Sequence, residues 1–186
     1  MKRGFTLIEL MVVLAVGAVA MTMAVPIVGS AVNHYRADSA LDTAVMQLRL
    51  ARSMATDKRR TFSVTFTGQR TVILSQVDGN NAGDISSLDI NPRVSFAFGS
   101  EATTAGEDAP GGMGADNPID LTDGSVVHFR PDGSAVTATG EFCNGVVHMS
   151  VDHDRKVARA ATVFGATGKI TGWRWVQSGS EAGTWK

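Results

Sequence analysis

The sequence contains only one cysteine, Cys143, in 186 residues. An intramolecular disulfide is therefore excluded, and the fold must depend on a buried core. A strong net charge is also missing, because 17 Lys and Arg face 18 Asp and Glu. This balance excludes a highly basic nucleic-acid-binding protein and a strongly charged disordered chain. Charged residues are absent altogether from residues 10–33, whereas residues 34–60 are rich in Arg and Asp. The segregation predicts an apolar N-terminal appendage followed by one water-soluble domain.

Recognisable catalytic patterns are missing as well. The chain has no Gly-x-x-x-x-Gly-Lys loop for phosphates, and its histidines do not have metal-ligand spacing. Those histidines are His34, His128, His148 and His153. Cys143 and His148 could act as nucleophile and base, but no third group is placed to orient the imidazole. We therefore expect no enzymatic activity and no cofactor.

The uncharged run is long enough to cross a membrane. A hydrocarbon core of ~30 Å requires about 20 apolar residues, which residues 10–28 supply. Lys2 and Arg3 would keep the short leading end in the cytoplasm, and the body from His34 onward would lie across the membrane. A cleaved secretory signal is the competing interpretation, but its apolar region is shorter and would not begin with an acidic residue such as Glu9.

Glu9 has two interpretations. Its carboxylate could lie at the level of the lipid headgroups without a partner. Alternatively, cleavage between Gly4 and Phe5 would create an α-amine one helical turn before Glu9, and the carboxylate could pair with that amine or with the amine of a neighbouring chain.

Residues 3–10, Arg-Gly-Phe-Thr-Leu-Ile-Glu-Leu, resemble the prepilin signal of type IV pilins and type II secretion pseudopilins. The resemblance implies that a membrane prepilin peptidase cuts after Gly4 and methylates the new amine of Phe5. It also implies that Glu9 guides the subunit into a helical filament through contacts with other pilins.

The expected organisation has three parts: a leader at 1–4, a helix at 5–58 that is transmembrane at about 10–28, and a β-rich head at 59–186. Pro26 should bend or loosen the helix. Beyond it, an apolar stripe at spacings of four and three predicts a face that packs on a partner. The stripe comprises Leu41, Val45, Leu48, Arg52 and Ala55, while Arg36, Asp38, Asp42, Arg49 and Lys58 fall mostly elsewhere.

The head shows the two-residue period of β-strands. Thr61–Phe66 and residues 71–77 predict a hairpin around Gly68 and Gln69. Further strands are predicted at 93–98, 126–129, 145–151, 157–163 and 169–176. Residues 99–123, rich in Gly, Ala and Asp, predict a long exposed loop. The fold class is therefore α+β, a long N-terminal helix packed on an antiparallel β-sheet head.

Two head motifs carry a further resemblance. Residues 127–134 place Pro-Asp-Gly after a strand, and residues 163–170 form a strand, a glycine turn and another strand. They are similar to the head of the type II secretion protein H and FimT group. The resemblance implies a minor pseudopilin near the tip of a periplasmic pseudopilus, with its helix in the bacterial inner membrane as a single pass and its head in the periplasm. Its partners would be other pseudopilins, the prepilin peptidase, the membrane and the inner-membrane assembly platform.

A FimT-type minor pilin, which serves pilus initiation or DNA uptake, is the alternative. Cations and three tryptophans alternate near the C-terminus, as in single-strand-binding surfaces, and Lys169 and Arg174 are the candidate DNA contacts. The Gly-Arg-x-Arg element of such subunits is matched only by residues 168–171, Gly-Lys-Ile-Thr, which lack the second cation. The simpler interpretation is that Trp173 and Trp175 cover one sheet face while the charges lie on its solvated side.

A weak calcium-loop pattern lies at residues 78–89. Asp78, Asn80, Asp84 and Asp89 are the candidate ligands, but Ala82 occupies a ligand position and Asp89 is shorter than the usual Glu. A simple loop between strands explains the same residues without an ion, so we expect no metal.

Overall fold

A computed structural model describes residues 6–79, 82–99, 109–122, 124–177 and 183–186, without the side chains of residues 22–28. The chain divides into two compact units, Met1–Tyr35 and Arg36–Lys186. One helix, α1, spans Leu7–Lys58 and contributes to both units. The helix is continuous at Pro26.

The first unit is the apolar part of α1. Its large hydrophobic side chains are exposed to an unusual extent, with Leu7 77% and Ile8 72% accessible. Val12, Val16 and Val19 are likewise more than half exposed. Among the residues that the structure describes, no helical stretch has both the length and the hydropathy of a membrane span.

The second unit begins with the other part of α1, which packs on the head. Small side chains line this contact, because Ala37, Ala40, Ala44, Ala51 and Ala55 are all fully buried. Their size lets the helix backbone approach the sheets closely. Larger apolar side chains from the predicted stripe, Leu41, Val45 and Leu48, are buried between them in the same core.

The described part of the head contains eleven strands in two antiparallel sheets. They are β1 (Phe62–Thr67), β2 (Thr71–Gln76), β3 (Gly83–Asp89), β4 (Val94–Ser95), β5 (Ile119–Asp120), β6 (Val126–Phe129), β7 (Ala135–Val136), β8 (Gly145–Val151), β9 (Arg159–Phe164), β10 (Lys169–Val176) and β11 (Thr184–Trp185). The first sheet has the order β3-β2-β1-β6-β7. The second has the order β11-β10-β9-β8-β4, with β5 also paired to β8. This arrangement confirms the predicted fold class of a long helix on an antiparallel head.

Alternation along the strands decides which side chains enter the core. In β1, Phe62, Val64 and Phe66 are buried and join the cluster that includes α1. In β10, Ile170 belongs to the same cluster, and the Cβ of any side chain at Gly172 would lie 3.2 Å from Leu41 on α1. The even-numbered residues of β10 therefore face the helix.

Strand β3 was not predicted, and it contains a bulge. The β2–β3 register shifts between Leu74 and Ser75, so that Ile85 has no opposite residue. The extra residue places Asp84 and Asp89 on the same sheet face, where they accept hydrogen bonds from Ser75 and Thr71 at 2.7 Å each. Without the bulge, an odd separation of five would put the two carboxylates on opposite faces.

The prediction of an exposed loop at 99–123 is wrong for part of its length, and residues 100–108 and 123 lie outside the described residues. Leu121 is fully buried, and Ile119 in β5 packs against the core. A 3-10 turn at Pro110–Gly112 covers the outer side of the second sheet, where Gly111 approaches Trp173. Burial of Ile119 and Leu121 thus holds this Gly- and Asp-rich stretch against the head.

Candidate functional site

The helix begins with a side-chain cap at Thr6. Its Oγ1 accepts a hydrogen bond from the backbone N–H of Glu9 at 3.3 Å, and its carbonyl accepts one from Leu10 N–H at 3.2 Å. Thr-x-x-Glu is the sequence pattern of a capping box, and the hydroxyl satisfies one of the helix's otherwise unpaired N–H groups. Thr6 therefore fixes where α1 starts and places Glu9 in its first turn.

Glu9 is the only charged residue between Thr6 and Asn33. Within the described part of the chain, its carboxylate has no hydrogen-bond or ion-pair partner, and the residue is exposed. An acidic group in the first turn is favoured by the helix dipole. The carboxylate is therefore stabilised by its own helix and open to a partner from outside the chain. Gly4 and Phe5, the predicted cleavage and methylation residues, lie outside the described residues.

The two head motifs meet at one side chain, Arg52 on α1. Its Nε donates to the carbonyl oxygen of Gly133 at 3.1 Å, and its Nη2 donates to the carbonyl oxygen of Thr167 at 3.0 Å. Gly133 belongs to the Pro-Asp-Gly turn and Thr167 to the glycine turn before β10. A single guanidinium thus ties both turns to the helix, which is the fork geometry that suits arginine.

Local hydrogen bonds and a glycine conformation hold the two turns close to Arg52. Asp132 Oδ1 accepts hydrogen bonds from both the N–H and the hydroxyl of Ser134, which closes the first turn. These bonds, the side-chain one first, lower the pKa of Asp132 below its ordinary value of 3.8. Gly168 has φ +60°, and a Cβ there would collide with the Gly133 carbonyl. Glycine is therefore required at 168 by both backbone conformation and space.

A second helix–head contact joins Asp38 to two arginines. Asp38 Oδ1 lies 2.7 Å from Nε of Arg159 and 3.1 Å from Nε of Arg174. Arg159 is buried, with a side chain only 4% exposed. Asp38 is one of the five charged residues predicted to lie mostly off the apolar stripe, and the structure turns its carboxylate toward β9 and β10.

Two of the three tryptophans, Trp175 and Trp185, pack against each other on the face of the second sheet that lies away from α1. Trp175 is buried and lies edge-to-face with Trp185 at 5.4 Å between ring centroids. Trp185 in turn lies 5.6 Å from the ring of His148, and Phe98 lies on the same imidazole at 5.0 Å. Trp173, half-buried, donates from Nε1 to Thr162 Oγ1 at 2.9 Å. We call Phe98, His148, Trp175 and Trp185 the aromatic cluster.

His148 is a neutral member of that cluster. Burial lowers its pKa from the ordinary 6.5 to about 4. Its Nε2 is buried with no hydrogen-bond partner, as is Nε1 of Trp175. An imidazole without a base-orienting partner does not suit general acid–base catalysis.

The candidate DNA contacts are not brought together. Lys169 and Arg174 are five residues apart in β10, which places them on opposite faces and about 16 Å apart along a strand. Arg174 faces the helix and pairs with Asp38, whereas Lys169 is opposite Phe164 at the other end. The indole rings nearby are engaged in the packing described above.

The calcium candidates are also separated. Asp84 and Asp89 lie at the two ends of β3, and Asp78 Oδ1 accepts from Thr61 N–H at 3.0 Å. Asn80 lies outside the described residues. In the part of the chain that the structure describes, no three His, Cys, Asp or Glu side chains are grouped as a metal site would need.

Cys143, the candidate nucleophile, lies inside the head. Cys143 is fully buried, and its Sγ donates to the carbonyl oxygen of Leu121 at 3.1 Å. A thiol in such surroundings acts as a small apolar residue rather than as a nucleophile. His153 Nδ1 lies 3.3 Å from the carbonyl oxygen of Phe98, and His34 and His128 have partners of their own.

Sequence reasoning missed the importance of Arg52 and Asp38. A signal for Arg52 was present, because it falls on the apolar stripe between Leu48 and Ala55. A charged residue on a buried stripe indicates that its head group reaches a partner. No comparable signal marks Asp38, whose arginines follow it by more than 100 positions.

Comparisons with known proteins agree with the N-terminal geometry. A family model described as the prokaryotic N-terminal methylation motif matches residues 1–25. No curated protein matches the chain. Among solved structures, the type IV minor pilin FimU of Pseudomonas aeruginosa strain PAO1 is similar with a TM-score of 0.46 and 15% identity, over 72% of this chain and 85% of that one. The chain therefore joins a prokaryotic N-terminal methylation motif to a capped helix and an antiparallel β head.

Proposed function

We propose that this protein is a minor pilin-like filament subunit, cleaved after Gly4 and methylated on the new amine of Phe5. The match of residues 1–25 to the N-terminal methylation motif carries this proposal. The Thr6 cap supports it, because it starts the helix two residues beyond the new N-terminus. The residues that form the cap, Thr6, Glu9 and Leu10, all lie beyond the proposed cleavage point and remain in the product.

Glu9 is proposed to act in assembly. Its carboxylate is exposed and has no partner within the described residues, so it is available to the methylated amine of a neighbouring subunit. An ion pair in apolar surroundings is strengthened by the low dielectric, and an unpaired charge there is penalised. Pairing between Glu9 and a neighbour's Phe5 would thus favour full insertion into the filament.

The exposed apolar side chains of the first unit are proposed to lie in a membrane and then against sister helices. Exposed hydrophobic surface of this extent marks a membrane or protein interface. The proposed single pass covers about residues 10–28, with Lys2 and Arg3 in the cytoplasm and the head in the periplasm of a bacterial inner membrane. Removal from lipid leaves these side chains to pack on neighbouring subunits.

Processing is tested by intact-mass spectrometry of the chain isolated from membranes. The expected product lacks residues 1–4 and carries one extra methyl group on Phe5. A Gly4→Val substitution should block cleavage and leave the full-length mass, whereas Gly17→Val, within the helix and with open space around it, should not. An unprocessed wild-type chain would refute the proposal.

Assembly is tested separately with Glu9→Gln, which keeps the side-chain shape and removes its charge. We expect normal cleavage but loss of the subunit from sheared or purified filaments. Thr6→Ser, which retains the capping hydroxyl, is the matched control and should assemble. Normal incorporation of the Glu9→Gln chain would exclude the assembly role.

The finer assignment is to the type II secretion system, as a minor pseudopilin at or near the tip of the periplasmic pseudopilus. The similarity of residues 127–134 and 163–170 to the protein H and FimT group supports it. In the structure these two motifs form the turns held by Arg52, which gives both a defined place in the head. A FimT-type minor pilin of type IV pili is the alternative.

A deletion strain separates the two duties. Loss of secreted enzymes from the medium with intact pilus-dependent motility and DNA uptake would support secretion. The reverse pattern would support the pilus. Of the functions considered, DNA binding through Lys169 and Arg174 has the least support from the structure, since the two cations lie on opposite sheet faces. A gel-shift assay in which Lys169→Ala and Arg174→Ala abolish salt-sensitive binding would restore it.

A further inference from the structure

A groove runs between α1 and the edge of the second sheet, entirely within the unit Arg36–Lys186. It encloses about 360 Å³. Leu41, Val45 and Gly172 lie along it, with Leu41 and Val45 almost completely buried, so most of its exposed surface is polar. The missing side chain at Gly172 leaves room, because a Cβ there would lie 3.2 Å from Leu41.

Basic side chains form the walls of this groove. Arg49 lines it from the helix, while Arg174 and Lys186 line it from the sheet, and Asp42 is the one acidic residue among the lining side chains. Arg49 and Lys186 have no hydrogen-bond or ion-pair partner for their side chains within the described residues. Both are exposed.

The positive charge follows from the strand register. Arg159 in β9 lies directly opposite Arg174 in β10, and Arg174 exchanges two backbone hydrogen bonds with Lys186. Directly opposite residues share a sheet face, so three cations form one row beside the helix. Like charges in opposite positions destabilise a sheet unless an anion lies between them.

The protein supplies only part of that anionic charge. Asp38 holds Arg159 and Arg174 at one end of the row, leaving the Arg49 and Lys186 end with Asp42 alone. The side chains that line the groove carry three positive charges, on Arg49, Arg174 and Lys186, and Asp42 carries the one negative charge among them. The groove is therefore electrostatically incomplete.

We propose that this groove is a docking site for an extended acidic segment of a partner protein, with carboxylates of that segment on Arg49 and Lys186. The excess of cations among the lining side chains selects an acidic partner. Each carboxylate gains a guanidinium or ammonium partner, and the cation row loses its internal repulsion.

The proposal goes beyond the filament role and does not depend on cleavage at Gly4. A suitable probe is a synthetic peptide copying residues 114–123, Gly-Ala-Asp-Asn-Pro-Ile-Asp-Leu-Thr-Asp, which has acidic residues separated by apolar ones. Its control replaces each Asp with Asn. Binding to the full-length chain in detergent micelles is measured by fluorescence anisotropy at low and high salt.

We expect the acidic peptide to bind in a salt-sensitive manner and the Asn peptide to bind at least tenfold more weakly. Arg49→Ala with Lys186→Ala should weaken the acidic peptide about tenfold, the loss typical when charged partners are removed from a contact. The double variant should melt like wild type, because neither side chain bonds within the head. Lys169→Ala, which removes an exposed cation from the opposite face, should leave affinity unchanged.

Three results would overturn the proposal. Equal binding of the acidic and Asn peptides would exclude charge recognition. A loss with Lys169→Ala equal to that of the double variant would indicate diffuse surface charge. Displacement of the peptide by duplex DNA at lower concentration than by unlabelled peptide would make this groove a nucleic-acid surface instead.

Discussion

The Arg52 guanidinium donates from Nε to the carbonyl oxygen of Gly133 across 3.1 Å, joining positions 81 residues apart. The same group holds Thr167, so its loss leaves two turn carbonyls without their donor. Arg52→Ala should lower the free energy of unfolding by about 2 kcal/mol, since hydrogen bonds from charged donors contribute ~1.5–3 kcal/mol each and this site is partly solvated.

The measurement is urea unfolding of the full-length chain in detergent, followed by the fluorescence of the three head tryptophans. Arg49→Ala, one turn earlier and without a bonded side chain, is the matched control and should change stability by less than ~0.5 kcal/mol. Equal effects of the two substitutions would show that the Arg52 contacts contribute nothing measurable.

Gly168 and Gly68 offer a matched comparison of strain and space, because both have φ +60°. A Cβ at Gly68 meets nothing within 4 Å, whereas one at Gly168 meets the Gly133 carbonyl and lies 2.9 Å from Arg52 Nε. Gly68→Ala should cost only the left-handed backbone penalty of about 1–2 kcal/mol. Gly168→Ala should cost at least ~1 kcal/mol more in the same unfolding assay, because the turn must move. Equal costs would indicate that the turn at Gly168 yields freely.

Asp38 neutralises a buried arginine, so its removal should be severe. Asp38→Asn leaves Arg159 charged and only 4% exposed, and breaking a buried pair in this way costs about 3–5 kcal/mol. Asp42→Asn, one turn further along, should cost much less. Combining Asp38→Leu with Arg159→Met should recover most of the loss, because no buried charge then remains. A double variant as unstable as Asp38→Asn would contradict this account.

His148 predicts how stability depends on pH. Burial lowers its pKa from 6.5 to about 4, so between these values the unfolded chain binds a proton that the folded chain does not. Stability is therefore fully retained above about pH 6.5 and falls as the pH decreases toward 4, by up to ~3 kcal/mol. His148→Phe should flatten unfolding curves across that interval, whereas His153→Gln, at an exposed site, should not. A wild-type stability independent of pH from 6.5 to 4 would refute the burial effect.

Strong alternation made several strands predictable. Strands β6, β8 and β10 have the predicted ranges 126–129, 145–151 and 169–176, because β-branched and aromatic residues dominate them. Strand β3, Gly-Asp-Ile-Ser-Ser-Leu-Asp, has neither a regular alternation nor a high β-propensity, and the bulge at Ile85 shifts its phase. It becomes a strand only because β2 offers it an edge.

The candidate functional residues also divide into those that the sequence predicts and those that only the fold reveals. Thr6 and Glu9 are recognisable from sequence because capping acts over three residues, and the family match lies on the same stretch. The pairing of Asp38 with Arg159 depends on where β9 lies relative to the helix, which no local pattern reports. The positions of Lys169 and Arg174 on opposite faces follow from strand parity, but only once β10 is established as a strand.

The bonds of Arg52 also set an order of events during synthesis. Thr167 follows Arg52 by 115 residues, so the helix cannot be fastened to both turns until nearly the whole head has emerged. Until then, the buried side chains of the second part of α1 lack the part of their cover that Ile170 in β10 supplies. Contacts of such long sequence separation slow folding, because loop closure must precede their gain. The packing of α1 therefore depends on strands that the ribosome makes last.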